Sequence, residues 1–275
     1  MSENRVSLKE RIGRALVSKL ERPSPGFRPY AYGDPEALRR ALRPADVLLV
    51  EGATRVSIAI KYLTQSTWSH SALYVGDAFG DGGDDPRCLI EANLGQGVVA
   101  SPLSKYDHAH VRICRAKDLT PEDQARVVAY MLESIGKRYD IKNVTDLLRY
   151  FMPTPPVPVR FRRRMLALGA GDPTRAICSS LIAEAFGRIR YPILPRITRE
   201  LRHDGAAQFQ RREILHIRHH SLYAPRDFDI SPYFEIVKPT LEGGFDYRML
   251  RWSDAGAATA PTRSRELIPP SAKPM

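Results

Sequence analysis

The stretch Thr67-Trp68-Ser69-His70-Ser71-Ala72-Leu73-Tyr74-Val75-Gly76 decides how this chain is read. It reads as a half-buried strand that ends at Gly76, with His70, Ala72 and Tyr74 on one face. Its counterpart lies about a hundred residues further on. There Ile177-Cys178-Ser179-Ser180-Leu181-Ile182-Ala183-Glu184-Ala185-Phe186 reads as a helix that starts at the cysteine. A thiol at a helix N-terminus faces unpaired N–H groups and the positive end of the helix dipole, so its thiolate is favoured. If the fold sets the His70 imidazole beside Cys178, the two form a thiolate–imidazolium nucleophile. That pairing points to acyl transfer through a thioester.

Each candidate residue has a plainer reading beside the chemical one. A buried structural cysteine looks much like a nucleophile in sequence. Ser179 and Ser180 argue for the nucleophile, because they suit a partly open helix start whose N–H groups can bind an oxyanion. His70 alone could be a satisfied core histidine; paired with Cys178 it is the expected base. Glu91 sits in the apolar run Leu89-Ile90-Glu91-Ala92, where a carboxylate is costly unless it is partnered. It either orients His70 as the third member of a triad or forms a salt bridge to a base such as Lys105. Ser69, Ser179 and Tyr139 are the candidate substrate-binding residues, although Tyr139-Asp140, following Gly136, equally suits packing.

The organisation around these residues is that of an α+β domain. Short helices are expected over 36–42 and 55–66. Strands are expected at 47–50, 88–92, 97–100 and 111–114, as a curled antiparallel sheet. The loop 77–86 is dense in turn residues, which explains its glycines without a calcium site. Thr120-Pro121-Glu122-Asp123 is a strong helix start, with Thr at the N-cap and Pro at the first position. A further helix is expected over 143–150, then a stiff spacer over 153–158, then the arginines Arg160, Arg162, Arg163 and Arg164. From Leu201 onward the pattern is weak, apart from two late strands at 233–238 and 245–250. The Ala/Pro/Thr/Ser composition beyond Asp254 predicts a disordered tail.

Composition narrows the partners. The chain has 275 residues and a net charge of +11, which favours anionic partners in general. No groove-reading or base-stacking motif accompanies the charge, so nucleic acid is not the expected partner. The first 22 residues place Leu8, Ile12, Leu16 and Leu20 at helical spacing among basic residues. This amphipathic helix either packs on the core or lies on an anionic membrane surface together with the Arg160–Arg164 cluster. Three cysteines without CxxC spacing argue against a disulfide framework, leaving open one bridge, Cys88 to Cys114. His108 with His110, and His216 with His219 and His220, lack a completing ligand set. No metal and no cofactor is expected. The N-terminus lacks the apolar core of a secretory signal, so the expected location is cytoplasmic, with peripheral membrane attachment as the variant.

The ordered set of motifs resembles a known family. A strand start at Pro44-Ala45-Asp46-Val47-Leu48 is followed by Trp68 to Gly76, then by Ile90-Glu91-Ala92 with Gly97-Val98. Gly136-Lys137-Arg138-Tyr139-Asp140 comes next, and Cys178-Ser179-Ser180-Leu181-Ile182 last. This is similar to the circularly permuted branch of the NlpC-type papain-like cysteine hydrolases, the YiiX/YebB-like group, over roughly residues 43–190. The resemblance implies a small antiparallel sheet packed on the cysteine helix, with Cys178 as nucleophile, His70 as base and Glu91 as the polar third residue. It also implies cleavage of amide bonds. On this reading residues 1–42 are a helical arm and linker. Residues 43–200 are the catalytic domain, with an insertion near 153–175. Residues 201–253 are an extension packing on it, and 254–275 are the tail.

Three functions follow. The first is a cysteine amidase or peptidase acting on a small peptide or amide. The second is a lipid acyl hydrolase or acyltransferase at a membrane surface, using the same triad. The third is a non-enzymatic binding module, with only the charge in its favour.

Overall fold

Val47-Leu48-Leu49-Val50 is an apolar run whose alternate side chains are buried on opposite sides. Such a run belongs at the centre of a sheet covered on both faces, and that is where it lies. The computed structural model describes residues 35–80, 83–93, 96–137, 177–202, 210–242 and Arg248. The strands are β1 (Val47–Glu51), β2 (His70–Tyr74), β3 (Arg87–Asn93), β4 (Gly97–Pro102) and β5 (His110–Ala116). A sixth, here called β8 (Phe234–Val237), follows a separate hairpin of β6 (Arg196–Arg202) and β7 (Gln210–His216). The main sheet is antiparallel in the order β4-β3-β2-β1-β5-β8.

Helices cover both faces. On one side Val47, Leu49, Leu73, Ile90 and Cys114 pack against α3 (Pro121–Glu133) and α4 (Ile177–Arg188), which supply Val127, Met131, Leu181, Ile182 and Phe186. On the other side Leu48, Val50, Ala72, Leu89 and Ile113 meet Leu38 and Ala41 of α1 (Pro35–Ala41), with Leu103 and Tyr106 of a short 3-10 turn. Helix α2 (Arg55–Thr64) joins β1 to β2. Its N-cap Thr54 accepts a hydrogen bond from the Ser57 amide. Thr120 caps α3 in the same way, accepting from Asp123 N at 3.2 Å, with Pro121 in the first turn.

The chain divides into two units, 1–243 and 244–275, and the fold described here is that of the first. Two sequence expectations are corrected. The weak pattern around Leu201 hides the β6–β7 hairpin, whose strands are rich in arginine, with Ile197 opposite Leu215. The late strand at 233–238 is an edge strand of the main sheet, paired with β5, so the C-terminal extension completes the sheet. A Cys88–Cys114 bridge is excluded: both thiols are free and lie in the packing of opposite sheet faces. The N-terminal helix, the helix over 143–150, the 153–175 insertion with its arginines, the strand at 245–250 and the tail lie outside the described residues. Among the described residues no helix is long and apolar enough to cross a membrane.

Candidate active site

The register of β2 against β3 pairs Ala72 with Glu91. His70 stands two residues before Ala72 and so shares its face. The two side chains are diagonal neighbours at the open end of the β2–β3 ladder, and His70 Nε2 lies 2.6 Å from Glu91 Oε2. The Glu91 side chain is wholly buried. A carboxylate there is tolerated because it is fully partnered. Oε2 also accepts from the Tyr106 hydroxyl at 2.5 Å. Oε1 accepts from the Ser101 hydroxyl at 2.5 Å and from the Lys105 ammonium. Burial pushes this carboxyl up, but His70 and Lys105 outweigh it and hold it well below the usual carboxylate range. Tyr106, pushed up by burial and by Glu91, stays a neutral donor.

Helix α4 packs across β2 and β3 and brings Cys178, at its first turn, to the same strand end. Cys178 is 5% exposed. Burial alone would raise its thiol. The His70 charge, a hydrogen bond to the imidazole and the Ser71 amide reverse this, and the thiol sits below its ordinary value. The imidazole shows the reciprocal effect. Burial pushes His70 down, yet Cys178 and Glu91 push it up to about 10. Glu91 occupies Nε2, so Nδ1 is the nitrogen left for the thiol. A resting thiolate–imidazolium pair is the state these shifts favour.

Ser71 is a residue the sequence reading passed over. Its backbone lies one residue beyond the last β2–β3 pair, so its amide faces α4 instead of β3. Its hydroxyl is fully buried and has no hydrogen-bond partner among the described residues. The available signal was a hydroxyl on the strand face otherwise occupied by Leu73 and, across β1, Leu49. Ser101 and Tyr106 were passed over too, since their convergence on Glu91 depends on the β3–β4 register and a 3-10 turn.

His70, Glu91 and Cys178 thus meet, whereas the candidate substrate contacts fare differently. Ser69 is buried, and its hydroxyl accepts from the Gly52 amide at 2.9 Å. Ser179 is fully buried, and its hydroxyl donates to the Tyr223 carbonyl at 2.8 Å. Both hydroxyls are turned inward, so neither side chain lies open to a substrate. Tyr139 lies outside the described residues. Among the described residues no group of three or more His, Cys, Asp or Glu side chains is arranged to hold a metal ion.

Residues 41–151 match the model of the permuted papain-like amidase family, YaeF/YiiX, C92 family. The match includes His70 and Glu91 and ends before Cys178. The probable lipoprotein peptidase YaeF of Escherichia coli K12 is 23% identical over 168 residues, 55% of this chain. That match spans only 58% of YaeF's own length. A solved structure described as the metalloprotein yiiX, from Escherichia coli O157:H7, aligns with a TM-score of 0.43 at 15% identity. The alignment covers 72% of this chain and 97% of that one. In this chain the histidine strand precedes the cysteine helix.

Proposed function

We propose that this protein is a cysteine hydrolase that cleaves amide bonds in small peptide-like substrates through a thioester on Cys178. The observation that carries the reading is the shared His70 ring. One nitrogen is held by a buried, fully partnered carboxylate, and the other serves a thiol whose ionised form is favoured. In the first step the Cys178 sulfur bonds to the amide carbonyl carbon. The C–N bond then breaks as the imidazolium gives its proton to the departing amine. In the second step water adds to the thioester, its proton passes to His70, the acid is released and the thiol is restored. Glu91 keeps the imidazole oriented and stabilises its charge. The N-terminal amides of α4 are the donors for the oxyanion.

In this reading the catalytic unit runs over 43–200, extended by β8. A lipid acyl hydrolase with the same triad rests on the N-terminal helix and the Arg160–Arg164 cluster, and nothing among the described residues favours it.

The test is the rate of alkylation of Cys178 by iodoacetamide against pH, with Cys178→Ala as background. Labelling that persists well below the ordinary thiol pKa of ~8.5, and is lost in His70→Ala, supports the reading. Labelling that follows an ordinary thiol, indifferent to the His70 substitution, would falsify it.

A further inference from the structure

Glu91 divides its two oxygens between two cations. Oε2 lies 2.6 Å from His70 Nε2 and also accepts from the Tyr106 hydroxyl. Oε1 accepts from the Lys105 ammonium, and from the Ser101 hydroxyl at 2.5 Å. The histidine contact and the salt bridge, which the sequence offers as alternatives, are thus made at once. Lys105 belongs to the 3-10 turn Leu103–Tyr106 that follows β4. Leu103 and Tyr106 are buried and fix this turn, whereas the Lys105 side chain is 39% exposed. Its stem therefore reaches from the surface to a carboxylate that is wholly buried. An ion pair between two exposed groups contributes little, but a buried carboxylate left without its cation is costly.

The importance of Lys105 changes along the hydrolase reaction proposed above, on which this inference rests. In the resting site two anions, the Cys178 thiolate and the Glu91 carboxylate, face two cations, the His70 imidazolium and the Lys105 ammonium. When the amide is cleaved, the sulfur becomes a neutral thioester and the imidazolium proton leaves on the amine. Glu91 and Lys105 then carry the remaining charges, and these balance. Without Lys105 the buried carboxylate stands alone at this stage, and only an imidazolium can match it, so His70 would take up a proton again. The next step needs the opposite. Water adds to the thioester carbon, its proton passes to a neutral His70, the C–S bond breaks and the sulfur leaves as thiolate. The other titratable groups facing His70 do not supply the balance. Cys178 of α4 is acylated, and Tyr106 of the 3-10 turn, its ring 6.4 Å from the imidazole, is a neutral donor.

We propose that Lys105 is a positioning residue for thioester hydrolysis: by holding Oε1 of Glu91 it offsets the buried negative charge and leaves His70 neutral to accept the proton of water. Its action is opposite in sign to that of Glu91. Glu91 favours the imidazolium and so serves the resting thiolate, whereas Lys105 tempers that preference so that the same ring serves as base in the second half. Cys178 and Glu91 are the two groups that push His70 up. Acylation removes the first push, and Lys105 moderates the second.

The test follows the His70 imidazole by NMR against pH in a Cys178→Ala background, which removes the thiolate as acylation does. The His70 signal is the one that disappears when His70→Gln is added. Lys105→Gln is expected to raise the midpoint of the His70 titration by about one pH unit, because the imidazolium loses a like charge beside its carboxylate. Lys105→Arg keeps the charge and should leave the midpoint near that of the background. A midpoint that stays or falls in Lys105→Gln, or that rises equally in Lys105→Arg, overturns the proposal. If Lys105→Gln does not fold, Lys105→Ala answers the same question with a smaller rise, since water can then reach the carboxylate. His110, held at Nδ1 by Glu51, is the control. A rise there equal to that of His70 would mean that the substitution acts on the whole fold, and would overturn the proposal as well. The measurement uses neither the thiol nor a substrate, so the two ideas fail separately. Alkylation of Cys178 that is indifferent to His70 fails the hydrolase reading, whereas an unmoved midpoint fails the role of Lys105 alone.

Discussion

Two clusters of the same three residue types lie at one end of the sheet. His70 joins Glu91 and Lys105; His110 joins Glu51 and Lys61. They differ in burial, in connectivity and in what the imidazole has left to offer. The Glu91 side chain is wholly buried and accepts four hydrogen bonds, while that of Glu51 is 14% exposed and accepts two. Glu91 holds its histidine by Nε2 and leaves Nδ1 for a thiol, whereas Glu51 holds its histidine by Nδ1. The His110 ring sits 5.0 Å from that of Trp68, with no thiol partner among the described residues. A histidine, a carboxylate and a lysine are thus not in themselves a catalytic device. The difference is made by a helix that delivers Cys178 to one cluster and by a carboxylate too buried to exchange partners.

The strongest way to break this contrast is His70→Ala. Without the imidazolium, burial alone acts on the thiol and pushes it up. The wild-type thiol is held down, so its thiolate is present above its lowered pKa and is lost only as the pH falls through that value. Alkylation of Cys178 at pH 6 is therefore expected to drop about 100-fold or more in His70→Ala, since an ordinary thiol is only ~0.3% ionised there. A drop of less than tenfold would mean that the two groups are not coupled.

Glu91→Gln is the next largest. It keeps the shape but removes the charge that Lys105 and His70 face, leaving buried donors poorly matched. Stability is expected to fall by about 3 kcal/mol in urea unfolding at pH 7. The sign of the pH effect follows from the depressed carboxyl. Its contribution is fully present above the ordinary carboxylate pKa and is lost as the pH falls towards the folded value. The gap between wild type and Glu91→Gln should therefore narrow when unfolding is repeated at pH 3.5. A gap that widens in acid would show that the charge is not what the cluster needs.

Ser71→Ala tests whether the buried, unpartnered hydroxyl of Ser71 helps to hold the thiol down. Only the hydroxyl is removed and the amide remains, so alkylation at pH 6 should fall by about threefold, with the profile displaced to higher pH. No change would leave the buried hydroxyl of Ser71 without a role.

Much of this site was legible in the sequence. The alternation from His70 to Tyr74, the N-cap of α3 and the helix beginning near Cys178 are local patterns, and local patterns survive into the fold. Glu91 announced itself because a carboxylate inside Leu89-Ile90-Glu91-Ala92 requires a partner, and both of its proposed partners, His70 and Lys105, are in contact with it. What was not legible depends on register. That Ser101 and Tyr106 complete the Glu91 cradle, or that Ser71 falls just past the end of the β2–β3 ladder, is decided by which residues pair across strands. The inward turn of Ser69 needs the close passage of Gly52, where a Cβ would come within 2.2 Å of the Ser57 hydroxyl. The β6–β7 hairpin was missed because its strands are charged and arginine-rich without a period-two alternation, which looks like loop composition.

Glu51→Gln is the smallest perturbation and the sharpest test of the comparison. It is the same substitution as Glu91→Gln in the same kind of cluster, so the histidine and lysine contacts cancel, and burial with its two extra hydroxyl donors is left. Glu51, Lys61 and His110 are each partly open to water, and water replaces what the lost charge no longer provides. Unfolding in urea at pH 7 should show a loss of about 1 kcal/mol, roughly a third of that for Glu91→Gln. If the two losses are equal, the depth of Glu91 is not what sets the clusters apart. The distinction would then rest on Cys178 alone, and the buried carboxylate would be a structural feature that this thiol happens to adjoin.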